Sequence, residues 1–184
     1  FSFTFDDLGK IDMTFDIIGY TPALLQQLTD MQKQMADLTA AGDTAGLQQL
    51  EQTVGMTIMS QLSVGGIGFR YDDASLAGRL LEFFASSQNL TAADLANALK
   101  QMAAAQLPPE LGPELNGQIT VAVNTFLDNP ESFVVAMEPA EPINVMMFAM
   151  MAQQPQALLP MLGITIAANV PANWVFTVKV ETLD

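Results

Sequence analysis

Two runs of strict alternation, Phe1-Phe3-Phe5 and then Ile11-Met13-Phe15-Ile17, constrain this chain more than any other feature. Ser2 and Thr4 interleave the first run, and Asp12, Thr14 and Asp16 the second. Successive side chains of a strand point to opposite faces, so each run has one apolar and one polar side. Asp7-Leu8-Gly9-Lys10 lies between them, and the segment predicts an antiparallel hairpin with one wet face. The tail mirrors it. Gly163 to Ala168 reads as a strand, Pro171 as part of a turn, and Trp174, Phe176, Val178 and Val180 as a second alternating run.

Between these ends the apolar period changes to that of a helix. Thr21-Pro22 supplies an N-cap and a proline at the first helical position. Leu24, Leu28, Met31, Met35 and Leu38 then step by four and three along one narrow stripe. Ala41-Gly42-Asp43-Thr44 breaks it, and Leu47, Leu50, Val54, Ile58 and Leu62 continue, so residues 22–62 are expected to form a helical hairpin inserted between strands. The run Val64-Gly65-Gly66-Ile67-Gly68 is expected to be a helix end and a flexible entry to a strand through Tyr71. A phosphate loop would follow a strand and open a helix, and this run does neither.

Asp73 is expected to cap a helix holding Leu76, Leu80, Phe83 and Phe84, and Thr91 with Asp94 resembles a capping box. Pro108-Pro109 and Asp128-Asn129-Pro130 end two further helices, and Ser132 to Met137 reads as a strand. The expected fold class is α+β: a largely antiparallel sheet of about six strands, with helices packed on one face and the helical hairpin as a lobe. A single domain over residues 1–184 is expected. An opening on Phe1 already inside a strand pattern is expected of a piece of a longer chain.

Half of the 184 residues are hydrophobic and only 14% charged, which separates the chain from disordered, charge-rich classes. Six basic and twenty acidic side chains give a net charge of −14. The basic residues are scattered singly, so no patch matches a nucleic acid, and anionic membrane surfaces would repel the chain. The stretch Ile143 to Leu162 is interrupted by Gln153, Gln154, Pro155, Gln156 and Pro160. No transmembrane segment is expected; the stretch reads as a buried helix followed by a short second one.

The chain has no histidine and no cysteine. Ser-His-Asp and Cys-His machinery and thiolate or histidine metal sites are thereby excluded, no cofactor or metal is expected, and the enzyme reading is weak. Paired carboxylates could still carry hydrolysis if one acid were buried, with Asp6-Asp7 and Asp72-Asp73 as candidates. A turn and a helix cap are the simpler uses for these acids. Asp6, Asp7 and Asp12 around Gly9 lack the ligand register of a calcium loop.

Met146, Met147, Met150 and Met151 gather near Phe148, Leu158 and Met161, and methionine-rich helices can line adaptable apolar grooves. With Phe84 they are the candidate ligand-binding residues, although central core is the simpler reading of a helix apolar on all sides. Three phrases, Phe69 to Leu76, Phe126 to Ser132 and Leu162 to Ile166, resemble pieces of uncharacterised exported bacterial proteins, over roughly residues 60–170. The resemblance implies a periplasmic or envelope-associated setting and names no substrate. The leading expectation is a non-catalytic structural or protein-interaction domain of an exported protein, with a protein partner in the cell envelope. An apolar-ligand or lipid-binding domain using the methionine-rich groove, and a carboxylate-dependent hydrolase, are the alternatives.

Overall fold

The computed structural model describes residues 1–171; the expected strand at Trp174 to Val180 lies outside them. Strand β1 (Ser2–Phe5) and strand β2 (Gly9–Ile18) form the expected hairpin, turning at Asp7 in a left-handed conformation. Helices α1 (Pro22–Ala41) and α2 (Thr44–Gln61) follow as the helical hairpin. The Thr21 hydroxyl accepts from Leu24 N–H, and left-handed Gly42 closes α1 before Asp43 accepts from Gly46 N–H to start α2. The stripe read from the sequence packs α1 on α2, with Leu28, Met31, Met35 and Leu38 half-buried and Leu24 fully so.

Strand β3 (Ser63–Asp73) returns antiparallel along β2. The glycine run is therefore neither a helix end nor a flexible entry, because α2 stops at Gln61 and the strand begins at Ser63. Pairing passes from Asp16↔Gly66 to Ile17↔Val64, which leaves Gly65 as an extra residue in a bulge. A Cβ there would sit 2.3 Å from an Asp16 carboxylate oxygen, so any larger residue would make the Asp16 side chain turn aside.

Helices α3 (Leu76–Ser87), α4 (Ala92–Gln106) and α5 (Gly112–Asp128) pack in sequence, α3 on α4 and α4 on α5. The capping box at Thr91 and Asp94 is complete. Ser75, not Asp73, occupies the N-cap of α3 and makes no side-chain cap bond. Asp73 nevertheless serves that end, since its Oδ1 accepts from Ala77 N–H at 2.9 Å.

Strand β4 (Ser132–Met137) pairs with β3, two-residue β5 (Ile143–Asn144) pairs with the start of β3, and β6 (Ile164–Ala168) pairs with β4. The sheet is antiparallel throughout, in the order β1-β2-β3-β4-β6, with β5 off that path. Helix α5 lies along β6, where Gln118 accepts from Ile166 N–H at 3.0 Å, so this edge is covered. Between β5 and β6, α6 (Val145–Met151) and α7 (Pro155–Leu158) are the expected helix and short second helix, but the first is not buried. No residue of α6 is fully buried, because seven residues give only two turns resting on α2 and the Ile143-Leu158-Leu162 cluster.

Candidate interaction surface

Residues directly opposite in an antiparallel pair share a face, so the registers assemble the sheet's two surfaces row by row. Phe1 and Met13 exchange backbone hydrogen bonds at 2.7 Å, which extends the β1–β2 ladder by one pair. One row then reads Phe1, Met13, Phe69, Val135, Ile166. The row beside it is Phe3, Ile11, Tyr71, Phe133, Ala168. On the other side lies Phe15, Ile67, Met137, Ile164. None of these fourteen side chains carries a charge at neutral pH.

The opposite surface carries Lys10, Asp12, Asp16, Arg70 and Asp72, together with small residues. Val134 and Ala136 are buried on that side, and the chain after β6 turns back towards it. Ser132 Oγ donates to Val170 O, and Arg70 donates to Val170 O at 3.2 Å and Pro171 O at 3.1 Å. Arg70 also grips Asp72 in a bidentate pair, Nε to Oδ2 at 3.0 Å and Nη2 to Oδ1 at 2.6 Å. Lys10 pairs with Asp12 at 2.7 Å, and this hydrogen bond holds the Asp12 carboxyl below its usual range.

The uncharged surface is covered at the β6 side and open elsewhere. Phe126 of α5 lies edge-on to Phe133 and Tyr71, with ring centroids 5.7 Å and 6.2 Å away. Beyond them the side chains face solvent: Phe1 is 82% exposed, Phe3 52%, Phe5 51% and Phe15 48%, and Ile17, Ile67 and Val135 are also exposed. An exposed isolated apolar side chain is ordinary, but a contiguous set is not. Asp73 bounds this surface, and the Tyr71 hydroxyl donates to it at 2.5 Å. Burial, then that hydrogen bond and the neighbouring negative charge, push the Tyr71 hydroxyl pKa well above its ordinary value.

The residues singled out in the sequence fall on separate elements. Met146, Met147, Met150 and Met151 all lie on α6, where Met151 packs against the Ile143-Leu158-Leu162 cluster while Met147 and Met150 are exposed. Phe84 lies on α3, edge-on to Phe83, both exposed. Asp72 and Asp73 are consecutive in β3 and so point to opposite faces, the first held by Arg70 and the second by Tyr71 and Ala77. Asp6 and Asp7 are exposed in the β1–β2 turn. Among the described residues no group of three or more acidic side chains could hold a metal ion. The phenylalanines of β1 and β2 were visible as a strand pattern; their exposure was not, because alternation marks an apolar face without saying what covers it.

Among the described residues, no helix is long and apolar enough to cross a membrane. No curated protein and no solved structure matches the chain. A family model described as "Uncharacterized protein" matches residues 2–169, nearly the whole chain. The chain belongs to that uncharacterised family.

Proposed function

We propose that this chain is a non-catalytic structural or protein-interaction domain that docks through the uncharged face of β1, β2, β3 and β4. The observation that carries the reading is the open set Phe1, Phe3, Phe5, Phe15 and Ile67, five large apolar side chains on one sheet surface with no helix among the described residues laid over them. Aromatic side chains left in water at that density fit a surface that another molecule covers. The disposition of the acids adds support. Asp72 and Asp73 face apart and each already has its partner, so this doublet does not present two free carboxylates to one cleft.

The proposed setting is the periplasm or cell envelope of a bacterium, and it rests on the resemblance of the three phrases alone. Fractionation of the native host checks it. A photo-crosslinking side chain at position 15 in that host tests the docking face. A discrete protein adduct is the expected result. No adduct, together with turnover in a broad hydrolase screen that Asp72→Asn or Asp73→Asn abolishes, would replace the reading with the hydrolase alternative.

Exposed Met147 and Met150 favour one second reading, an apolar-ligand or lipid-binding role for α6. Native mass spectrometry after mild purification would then show a bound lipid, lost in Met147→Ser with Met150→Ser.

A further inference from the structure

The molecule offers several places where an additional role could reside. A cleft of about 370 Å³ between α3, α4 and the end of α5 is lined largely by alanine and leucine, and its Lys100 is already paired with Asp128. A second, of about 360 Å³ between the start of α5 and the start of β6, carries Glu114 and Gln118, and Gln118 is used by Ile166. The Arg70–Asp72 pair is spent on the chain's own carbonyls. The open sheet face has more unmet surface than any of these, and its composition decides what can cover it.

We infer that the open face of β1–β4 docks on the same face of a second copy of this chain, forming a two-fold, face-to-face dimer. This rests on the reading of that face as a docking surface and names its occupant. Three properties select a second copy.

The first is charge. A basic amphipathic partner would need free carboxylates around the apolar surface, but Asp12, Asp16 and Asp72 lie on the other side of the sheet, and Asp73 at the edge of this face already accepts from Tyr71 and Ala77. An anionic membrane needs lysine or arginine at the surface, and the sheet's basic side chains, Lys10 and Arg70, also lie on the far side. Stacking the two faces leaves Asp73 at the rim and keeps Asp12, Asp16 and Asp72 of each copy on its outer surface. There the mutual repulsion of two chains of net charge −14 is separated by two sheets and screened over about 8 Å at physiological salt.

The second is shape. A sheet face is self-complementary under a two-fold axis, and two such faces pack at about 10 Å with strands about 30° apart. The third is area. At roughly 200 Å² per aromatic side chain, the four phenylalanines leave roughly 450 Å² of ring in water. Ile17 and Ile67 bring the apolar part to roughly 600 Å². Homodimer interfaces are about 65% apolar, so the matching total is roughly 900 Å² per copy, above the ~800 Å² of a standard stable interface.

Sedimentation velocity on the full chain between about 1 and 100 μM tests the inference. A dimer is expected, and Phe15→Glu, which places a carboxylate in the centre of the face, should weaken it by roughly 30-fold or more. Because the chain has no cysteine, single-cysteine variants provide a readout that does not depend on Phe15→Glu folding. With a short bis-maleimide, Phe15→Cys should yield cross-linked dimer and Thr14→Cys, on the opposite face, should not. A wild-type chain that stays monomeric at 100 μM but binds a fluorescent apolar dye, sensitively to Phe15→Glu, would overturn self-docking and leave the docking-surface reading standing. A monomer that floats with phosphatidylcholine vesicles would overturn it in favour of lipid. A monomer that binds neither dye nor vesicle would overturn both the inference and the reading beneath it. Equal cross-linking from positions 14 and 15 would also overturn it.

Discussion

Arg70 is the residue whose removal should cost the monomer most among its charged groups. Its side chain is 11% exposed and joins Asp72, Val170 and Pro171, tying the end of β6 back to β3. Arg70→Ala leaves a carboxylate and two carbonyls without their donor, a loss of about 2–3 kcal/mol in urea unfolding. Tyr71 makes the complementary point about protons. Its folded pKa is raised above the ordinary value of 10.0, so the folded chain holds the proton more tightly than the unfolded one. The stability this contributes is fully present below pH 10 and is lost as pH rises through the folded value. In a Tyr20→Phe background, absorbance titration of the remaining tyrosine should show a midpoint well above the usual tyrosine value. A midpoint near 10 would mean that the Asp73 contact is not formed. Asp12 and Asp94 act at the other end of the scale. Their folded pKa values are depressed below 3.8, by hydrogen bonds from Lys10 and Thr91 respectively. Their contributions are present above pH 3.8 and lost as pH falls through the depressed values.

At the scale of elements, local chemistry sets the boundaries. Thr91→Ala breaks the capping box of α4 and should cost about 1 kcal/mol, a fall of roughly 2–4 °C in Tm for a chain of this size. Gly163 enters β6 with φ +56°, and a Cβ there would lie 2.1 Å from Glu138 O, a backbone atom that cannot step aside. Gly163→Ala should therefore cost about 2–4 kcal/mol, read from the same melts. These devices were largely legible in the sequence. Thr21-Pro22, Gly42-Asp43, Thr91-Asp94 and Asp128-Asn129-Pro130 each act within one helical turn, so their signal needs no tertiary partner. The glycine run at 65–68 was misread for the converse reason. Its place in β3 rests on pairing with β2, which no local pattern encodes. β5 is two residues long and exists only by pairing with Ser63 and Val64, so it too left no signal. Leu80, Phe83 and Phe84 keep helical spacing, yet they are exposed while Ala85 is buried, since spacing defines a stripe and not what meets it.

At the scale of the whole molecule, apolar surface is divided unequally between interior and exterior. Leu24, Val134 and Ile143 are buried, whereas the phenylalanines at the N-terminal edge of the sheet are half or more exposed. Leu24→Ala should accordingly cost about 2–5 kcal/mol, while Phe3→Ser or Phe15→Ser in dilute monomer should cost about 1 kcal/mol or less. If Phe15→Ser proves as damaging as Leu24→Ala, the face is core. Alternation at Phe1 to Ile17 encoded the hairpin and its apolar side, and the surplus of acids foretold a wet, negative opposite side. What it could not encode is that, among the described residues, α5 lies along β6 with α4 and α3 stacked on it in turn, α1 packs on α2 and α2 on α6, and the apolar face of β1 to β3 is left open. The methionines of α6 show the same limit, since Met151 meets the core cluster while Met150, one residue before it, faces water. Carbene footprinting of the full chain, dilute and purified against the same chain in its native host, tests most directly that this face is a docking surface. The expected result is strong labelling of Phe1, Phe3, Phe5, Phe15 and Ile67 in the dilute chain and protection of that set in the host. Unchanged labelling of those residues, or protection confined to other surfaces, would contradict it.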